Sequence, residues 1–386
     1  VDGIVSRMHS YRTDLGVFVD REKEAWEVLG FGRGVIRDGT ISILYGPRGC
    51  GKTTLFAALI SSLANFRDRS VEIHYVSIDD AGGNIVAAST NRGLAEELSS
   101  RLGSEGFSIS FGVSISPFHM IPAGFSLSIS VGGKHFEQID AIAIVREAID
   151  EIVSEGGGGA RHVVVVDEYR LSSPEDFNRL KNHIEVFYNR LEHFITKILK
   201  ARGSSIAYII TASDASVVSL KVGGSKERYA FMWNLPREAS DRIATRIGVN
   251  ENLAWRLAGG NSRALRDIRD SGVGKWIENK VIGGIRIFAR GLPIEVRDKA
   301  LEKISSSLDR VDDIDWLDPS IWEPMLRRNI IIYIADADKI SEPPRETWIG
   351  REFAFQIPAH YYTLKAMARK RSWEISPEEV IKEAMG

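Results

Sequence analysis

The chain has 386 residues, 44% of them hydrophobic and 26% charged, which excludes a disordered or fibrous protein and allows two or three domains of about 150 residues each. Its 50 basic and 52 acidic residues leave a formal charge of -2, so no overall field draws it to nucleic acid or anionic lipid, and any such contact has to come from a local patch. The single cysteine, Cys50, excludes an internal disulfide, and the longest apolar runs, Val163–Val166 and Ile330–Ile334, fall short of the ~20 residues of a membrane span, so a soluble, cytoplasmic, membrane-free protein is expected.

In chain order, Ile41–Tyr45 is the first run with no polar face and reads as a strand buried on both sides; Thr54–Leu63 follows it as a helix. Ile73–Ile78, Val163–Val166 and Ile206–Ile210 read as further buried strands. Ile139, Ile142, Val145, Ile149 and Ile152 fall at helical spacing ahead of Val163. Strand, helix, strand implies a parallel sheet covered by helices, the α/β class.

Between these elements, residues 107–131 alternate apolar residues with serine at period two, interrupted by Pro117, Pro122 and Gly124. This predicts a two-stranded antiparallel β-hairpin insertion, serving either as a covered sheet edge or as a binding arm. After Pro236 the pattern is helical only, with Glu238–Ile247, Leu253–Ala258 and Arg263–Ile268 linked by Gly248 and Gly259-Gly260. From about residue 285 come two helices, a strand at Asn329–Ala335, a polar loop with Pro343-Pro344, a strand at Arg351–Ile357 and a last helical stretch, the outline of a winged helix. The expected domains are 1–235, a helical lid at 236–284 and a winged-helix-like domain at 285–386.

Gly46-Pro47-Arg48-Gly49-Cys50-Gly51-Lys52-Thr53 fits G-x-x-x-x-G-K-[ST] between an apolar strand and a helix, the context a phosphate-binding loop requires. Glycines let backbone N–H groups converge on phosphates, and the following helix turns its positive end to them. Lys52 then neutralises β/γ charge, and Thr53 offers a hydroxyl to Mg²⁺, which is held by few protein oxygens because it keeps most of its water. Cys50 reads as a small tolerated residue of the loop.

His162-Val-Val-Val-Val-Asp167-Glu168 is an apolar strand ending in two carboxylates. Asp167 is the candidate metal-side acid, and Glu168 the candidate base for the attacking water. At the end of the next strand Ser213, with Thr211 second, is the candidate polar group for the γ-phosphate, although a strand-to-loop turn also uses Ser and Asp. Arg228, Arg237, Arg242 and Arg263 are candidates for a γ-phosphate-sensing cation, each equally readable as an ordinary surface arginine; Arg263, at a helix start, is the preferred one. Lys365, Arg369, Lys370 and Arg371, near Tyr361, Tyr362 and Trp373, form either a phosphate-backbone contact or a solvated helix end.

Together these residues resemble the archaeal ATPase family, AAA+-related proteins close to the STAND signalling NTPases and more distantly similar to origin-recognition initiators. Phe18-Val19-Asp20-Arg21-Glu22-Lys23-Glu24 resembles the family's F-x-D-R-E-x-E box, whose neighbourhood seats the adenine, and this brings Arg21 into the cofactor site. Tyr45 through Leu55 resembles its P-loop, which adds Thr54; Val166–Tyr169 resembles its second acidic motif, and Ile209–Ser213 its sensor strand. Glu227-Arg228-Tyr229 resembles its Gly-Arg segment with Glu227 in place of glycine, and Leu257–Asn261 its Gly-Gly-Asn lid motif; Ser262–Leu265 is similar to the second sensor of initiator ATPases. The resemblance implies an ATP/ADP- and Mg²⁺-binding P-loop hydrolase of AAA+ type that couples nucleotide state to conformation, with an oligomer possible and double-stranded DNA or a protein as partner of the C-terminal domain. A slow nucleotide-gated switch with little turnover is the alternative.

Overall fold

Buried apolar runs separated by amphipathic ones set the architecture, which a computed structural model describes for residues 2–64, 70–78, 85–104, 108–112, 125–130, 147–151, 153, 159–167, 203–212, 227–308, 311 and 318–386. The chain divides into two compact units. The first takes residues 1–44, 52–212 and 220–230, and the second 45–51, 213–219 and 231–386.

The first unit opens with α1 (Asp2–Met8), a short hairpin of β1 (Arg12–Thr13) and β2 (Gly16–Val17), and α2 (Glu22–Leu29). Its sheet then builds from β3 (Ile41–Tyr45), α3 (Lys52–Ala64), β4 (Val71–Ile78), β5 (Ile85–Ser89), α4 (Arg92–Ser104), β6 (Ser108–Gly112), β7 (Phe125–Ser130), β8 (Arg161–Asp167), β9 (Ser205–Ala212) and β10 (Glu227–Phe231). In space the strands run β10-β3-β9-β8-β4-β5-β7-β6. β8 is parallel to both β4 and β9, whereas β5, β7 and β6 are joined antiparallel.

β8 has no exposed face, which explains its unbroken apolar run: Val163, Val164 and Val165 are fully buried, as are Leu55, Phe56, Leu59 and Ile60 of α3; β4 beside it buries Glu72, His74 and Ser77 among its apolar residues. The serine-alternating strands β6 and β7 pair with each other, and β7 pairs with β5. The expected hairpin strands pair antiparallel and extend the sheet to its edge; residues 113–124, which join them, lie outside the described residues, as does most of the predicted helix at Ile139–Ile152.

In the second unit, α5 (Arg237–Arg246), α6 (Glu251–Ala258) and α7 (Ser262–Ser271) match the expected helical stretch. Asn250 and Asn261 cap the last two by accepting from the N–H groups of Leu253 and Ala264. A four-residue turn, α8 (Val273–Trp276), and a π-helical turn at Ile277–Ile282 lead to α9 (Gly283–Gly291), α10 (Ile294–Leu308) and α11 (Pro319–Arg327). Then β11 (Ile331–Tyr333), β12 (Asp338–Lys339) and β13 (Phe353–Phe355) precede α12 (Pro358–Lys370) and α13 (Pro377–Met385). β11 and β13 form an antiparallel pair. Trp233 and Trp348 stack at 5.9 Å in the core of this unit, with Phe288, Phe355 and Leu364 buried as well. Among the described residues no helix is long and apolar enough to cross a membrane.

Candidate functional site

In the first unit the site is built on three adjacent strands. The register sets Ser77 opposite Asp167 and Val165 opposite both Tyr75 and Ile209, so alternation brings Tyr75, Asp167 and Thr211 to one face of the sheet. Asp167 is only 1% exposed. Its Oδ2 accepts from the Thr53 hydroxyl at 2.7 Å and from the Tyr75 hydroxyl at 2.5 Å, and its Oδ1 accepts from the Thr211 hydroxyl. Three donated hydrogen bonds satisfy a carboxylate taken out of water, which would otherwise be costly to bury.

Thr53 sits in the first turn of α3, directly after Lys52, itself buried. Its hydroxyl and the Asp167 carboxylate are hard oxygen donors, and their 2.7 Å separation is close to the spacing of about 2.9 Å between neighbouring oxygens on an octahedral Mg²⁺. The pair therefore fits the expected metal.

In the second unit, the loop 45–51 is tied down by its own neighbours. Met232 N–H donates to the Tyr45 carbonyl at 2.9 Å, which brings backbone so close that a Cβ on Gly46 would lie 1.9 Å from the Met232 oxygen. Only glycine fits there. Cys50 is buried, and its N–H closes a turn onto the Pro47 carbonyl at 3.1 Å.

Arg48 N–H donates to Gln356 Oε1 at 2.9 Å, and the Arg48 carbonyl accepts from Asn261 Nδ2 at 3.0 Å. The Gly49 carbonyl accepts from the Ser262 hydroxyl at 2.7 Å and from Arg263 N–H at 3.3 Å. Asn234 completes the network: its Oδ1 accepts from Asn261 Nδ2, and its Nδ2 donates to the Gln356 carbonyl, each at 2.9 Å.

Of the remaining predicted site residues, Arg21 is buried with φ 97° and donates to Glu24 Oε1 at 2.6 Å, a buried pair at the start of α2. Glu168 and Ser213 lie outside the described residues. The arginine candidates separate: Arg263 has its backbone on the loop carbonyl, while Arg237 is exposed beside Asp241 at 3.8 Å and over the Trp255 ring at 5.9 Å. Arg242 is exposed on α5, and the Nε of Arg228 is buried with no hydrogen-bond partner among the described residues.

The C-terminal basic cluster is largely engaged within its own unit. Lys365 and Arg369 pair with Glu383 at 3.8 and 2.7 Å, Lys370 pairs with Glu379 at 3.0 Å, and Tyr361 and Tyr362 are buried. Tyr75 and Gln356 are residues of these networks that the sequence did not single out. Tyr75 leaves a faint signal, one of several polar-bearing residues (Glu72, His74, Ser77) in a strand buried on both sides, whereas Gln356 leaves none.

Among curated proteins no significant relative was found. The sequence profile described as "ATPase domain predominantly from Archaea" matches residues 18–268, a span that takes in the loop, Asp167 and the Gly259–Asn261 turn. The chain belongs to this archaeal ATPase family.

Proposed function

We propose that the chain is a Mg²⁺-dependent ATP hydrolase of the AAA+/STAND-like class whose nucleotide state is coupled to conformational change. The observation that carries this reading is the buried Asp167 carboxylate held against the Thr53 hydroxyl at the start of the helix that follows the phosphate loop. Backbone N–H groups of Gly46–Gly51 bind the phosphates, Lys52 neutralises their charge, and Thr54 and the Arg21 neighbourhood complete the nucleotide site. Thr53 and Asp167 would hold Mg²⁺, which would supply neutralisation of phosphate charge. Glu168 takes the proton of the attacking water as its oxygen bonds to the γ-phosphorus; the bond from that phosphorus to the bridging oxygen breaks, and its electron pair leaves with ADP. Ser213, with Thr211 as the second candidate, is assigned to the γ-phosphate, and Arg263 to the compensating cation.

The hydrogen bonds that Arg48 and Gly49 make with Gln356, Asn261 and Ser262 support the coupling, since a ligand that moves the loop has to move these partners. The same network favours the second reading, a slow nucleotide-gated switch, with residues 236–284 as a lid and 285–386 as a winged-helix-like docking domain. Because the basic cluster is paired with Glu379 and Glu383, a protein partner is preferred to double-stranded DNA for that domain. Lys52→Ala is expected to weaken ATP binding about 10- to 100-fold, the loss of a charge-assisted contact, in equilibrium titration with a fluorescent ATP analogue. An unchanged affinity would remove the loop from the nucleotide site.

A further inference from the structure

β4 and β8 carry a second polar cluster, away from Asp167. Glu72 stands opposite His162 in the parallel register and His74 is two residues further on, so all three share one face of the sheet, while Tyr75 and Asp167 project from the other. His162 is the second residue of β8 and Asp167 its last, a separation of roughly 16 Å along an extended strand. Glu72, His74 and His162 are buried, with exposures of 7%, 0% and 6%.

His74 Nε2 lies 3.2 Å from His162 Nδ1, His162 Nδ1 lies 3.5 Å from a Glu72 carboxylate oxygen, and one donor atom from each residue falls within 4.8 Å of the others. Three donor groups thus meet in one buried cluster, with room for at most one proton between the two facing ring nitrogens. Burial depresses the basicity of both imidazoles, His74 to about 3, with the second ring adding to the effect at His74 and Glu72 opposing it at His162.

The 3.2 and 3.5 Å separations match those around a tetrahedral ion, whose metal–ligand bonds of about 2.0–2.1 Å put neighbouring ligand atoms about 3.3–3.5 Å apart. The outer shell that fixes such ligands is also in place. Ser89, opposite His74 on β5, has its hydroxyl 3.1 Å from His74 Nδ1, and Asn91 Nδ2 donates to both Glu72 oxygens at 2.9 and 3.1 Å.

We propose that Glu72, His74 and His162 form a structural site for a divalent transition-metal ion, Zn²⁺ by its ligand chemistry, which ties β4 to β8 independently of nucleotide. Two imidazoles and one carboxylate suit Zn²⁺ and not Mg²⁺ or Ca²⁺, which take oxygen ligands. A fourth position is left for a solvent oxygen. Burial closes the site to substrates, so its role is to hold the sheet together.

The test uses the full-length protein, stripped by a chelator and dialysed against equimolar Zn²⁺ or Co²⁺ with excess Mg²⁺ present. The expected result is one Zn²⁺ retained per chain by elemental mass spectrometry and visible absorption of four-coordinate Co²⁺ without a thiolate charge-transfer band. The thermal midpoint is expected to rise by about 5 °C or more at a hundredfold excess over Kd. Glu72→Gln and His162→Gln should lower Zn²⁺ affinity at least about tenfold; Ser89→Ala, which keeps every ligand, should lower it by about tenfold with the far-ultraviolet dichroism unchanged. No retained metal, a thiolate band pointing to Cys50, or an affinity indifferent to all three substitutions would overturn the proposal.

Discussion

The Tyr75 hydroxyl, 2.5 Å from Asp167 Oδ2, shares that oxygen with Thr53, so it helps to set which way the carboxylate turns. Tyr75→Phe removes this donor but keeps the ring, which lies 6.5 Å from Phe56 in a tilted contact. Mg²⁺ activation of ATP turnover is expected to need about 10-fold more metal, with ATP affinity nearly unchanged. An unaltered Mg²⁺ dependence in the kinetic titration would show that Tyr75 only packs. The loop residues and Asp167 were legible because phosphate and metal chemistry admits few residue types at fixed spacing. Tyr75 was not, because its partnership depends on the register of β4 against β8, two strands far apart in sequence; locally a tyrosine in a buried strand looks like core.

The turn between α6 and α7 shows what the Gly-Gly-Asn motif does mechanically. Gly260 has φ 76°, and a Cβ there would stand 1.9 Å from the Leu235 carbonyl, whose own N–H donates to the Gly260 oxygen at 3.0 Å. Asn261 follows, capping α7 with its Oδ1 while its Nδ2 serves Arg48 and Asn234. Asn261→Ala removes the cap and leaves buried partners unpaired, so the second unit is expected to lose about 2–4 kcal/mol in urea unfolding, with weaker ATP binding as well. A loss under about 0.5 kcal/mol would mean that the cap alone is replaceable. At this scale the long buried strands and helices α3, α5, α6 and α7 were readable from period and caps. β5 and α4 were not: Ile-Val-Ala-Ala-Ser is short and small-residued, and its place in the sheet comes from pairing with β4 and β7.

Across the whole molecule, family membership fixes the class of activity at the level of an ATPase domain, and stability adds a pH signature of its own. Burial pushes the imidazole of His360, at the start of α12, down to about 4, against the weaker opposing pull of the Ile330 carbonyl at 3.3 Å. An unfolded histidine takes its proton near pH 6.5, so between that pH and about 4 the unfolded state binds more protons and folding stability falls as pH falls. The loss is roughly 2 kcal/mol, since part of the residue reaches solvent, and above pH 6.5 the contribution is constant. His360→Asn should make the thermal midpoint fall less steeply between pH 7 and 4; an identical profile would place the titration elsewhere. The central claim, hydrolysis at this site, is tested most directly by steady-state ATP turnover with Mg²⁺ for wild type and Glu168→Gln, beside ATP affinity for both. The account predicts measurable wild-type turnover that Glu168→Gln abolishes while ATP stays bound. Turnover indifferent to that substitution, or none above background in the wild type, would contradict it.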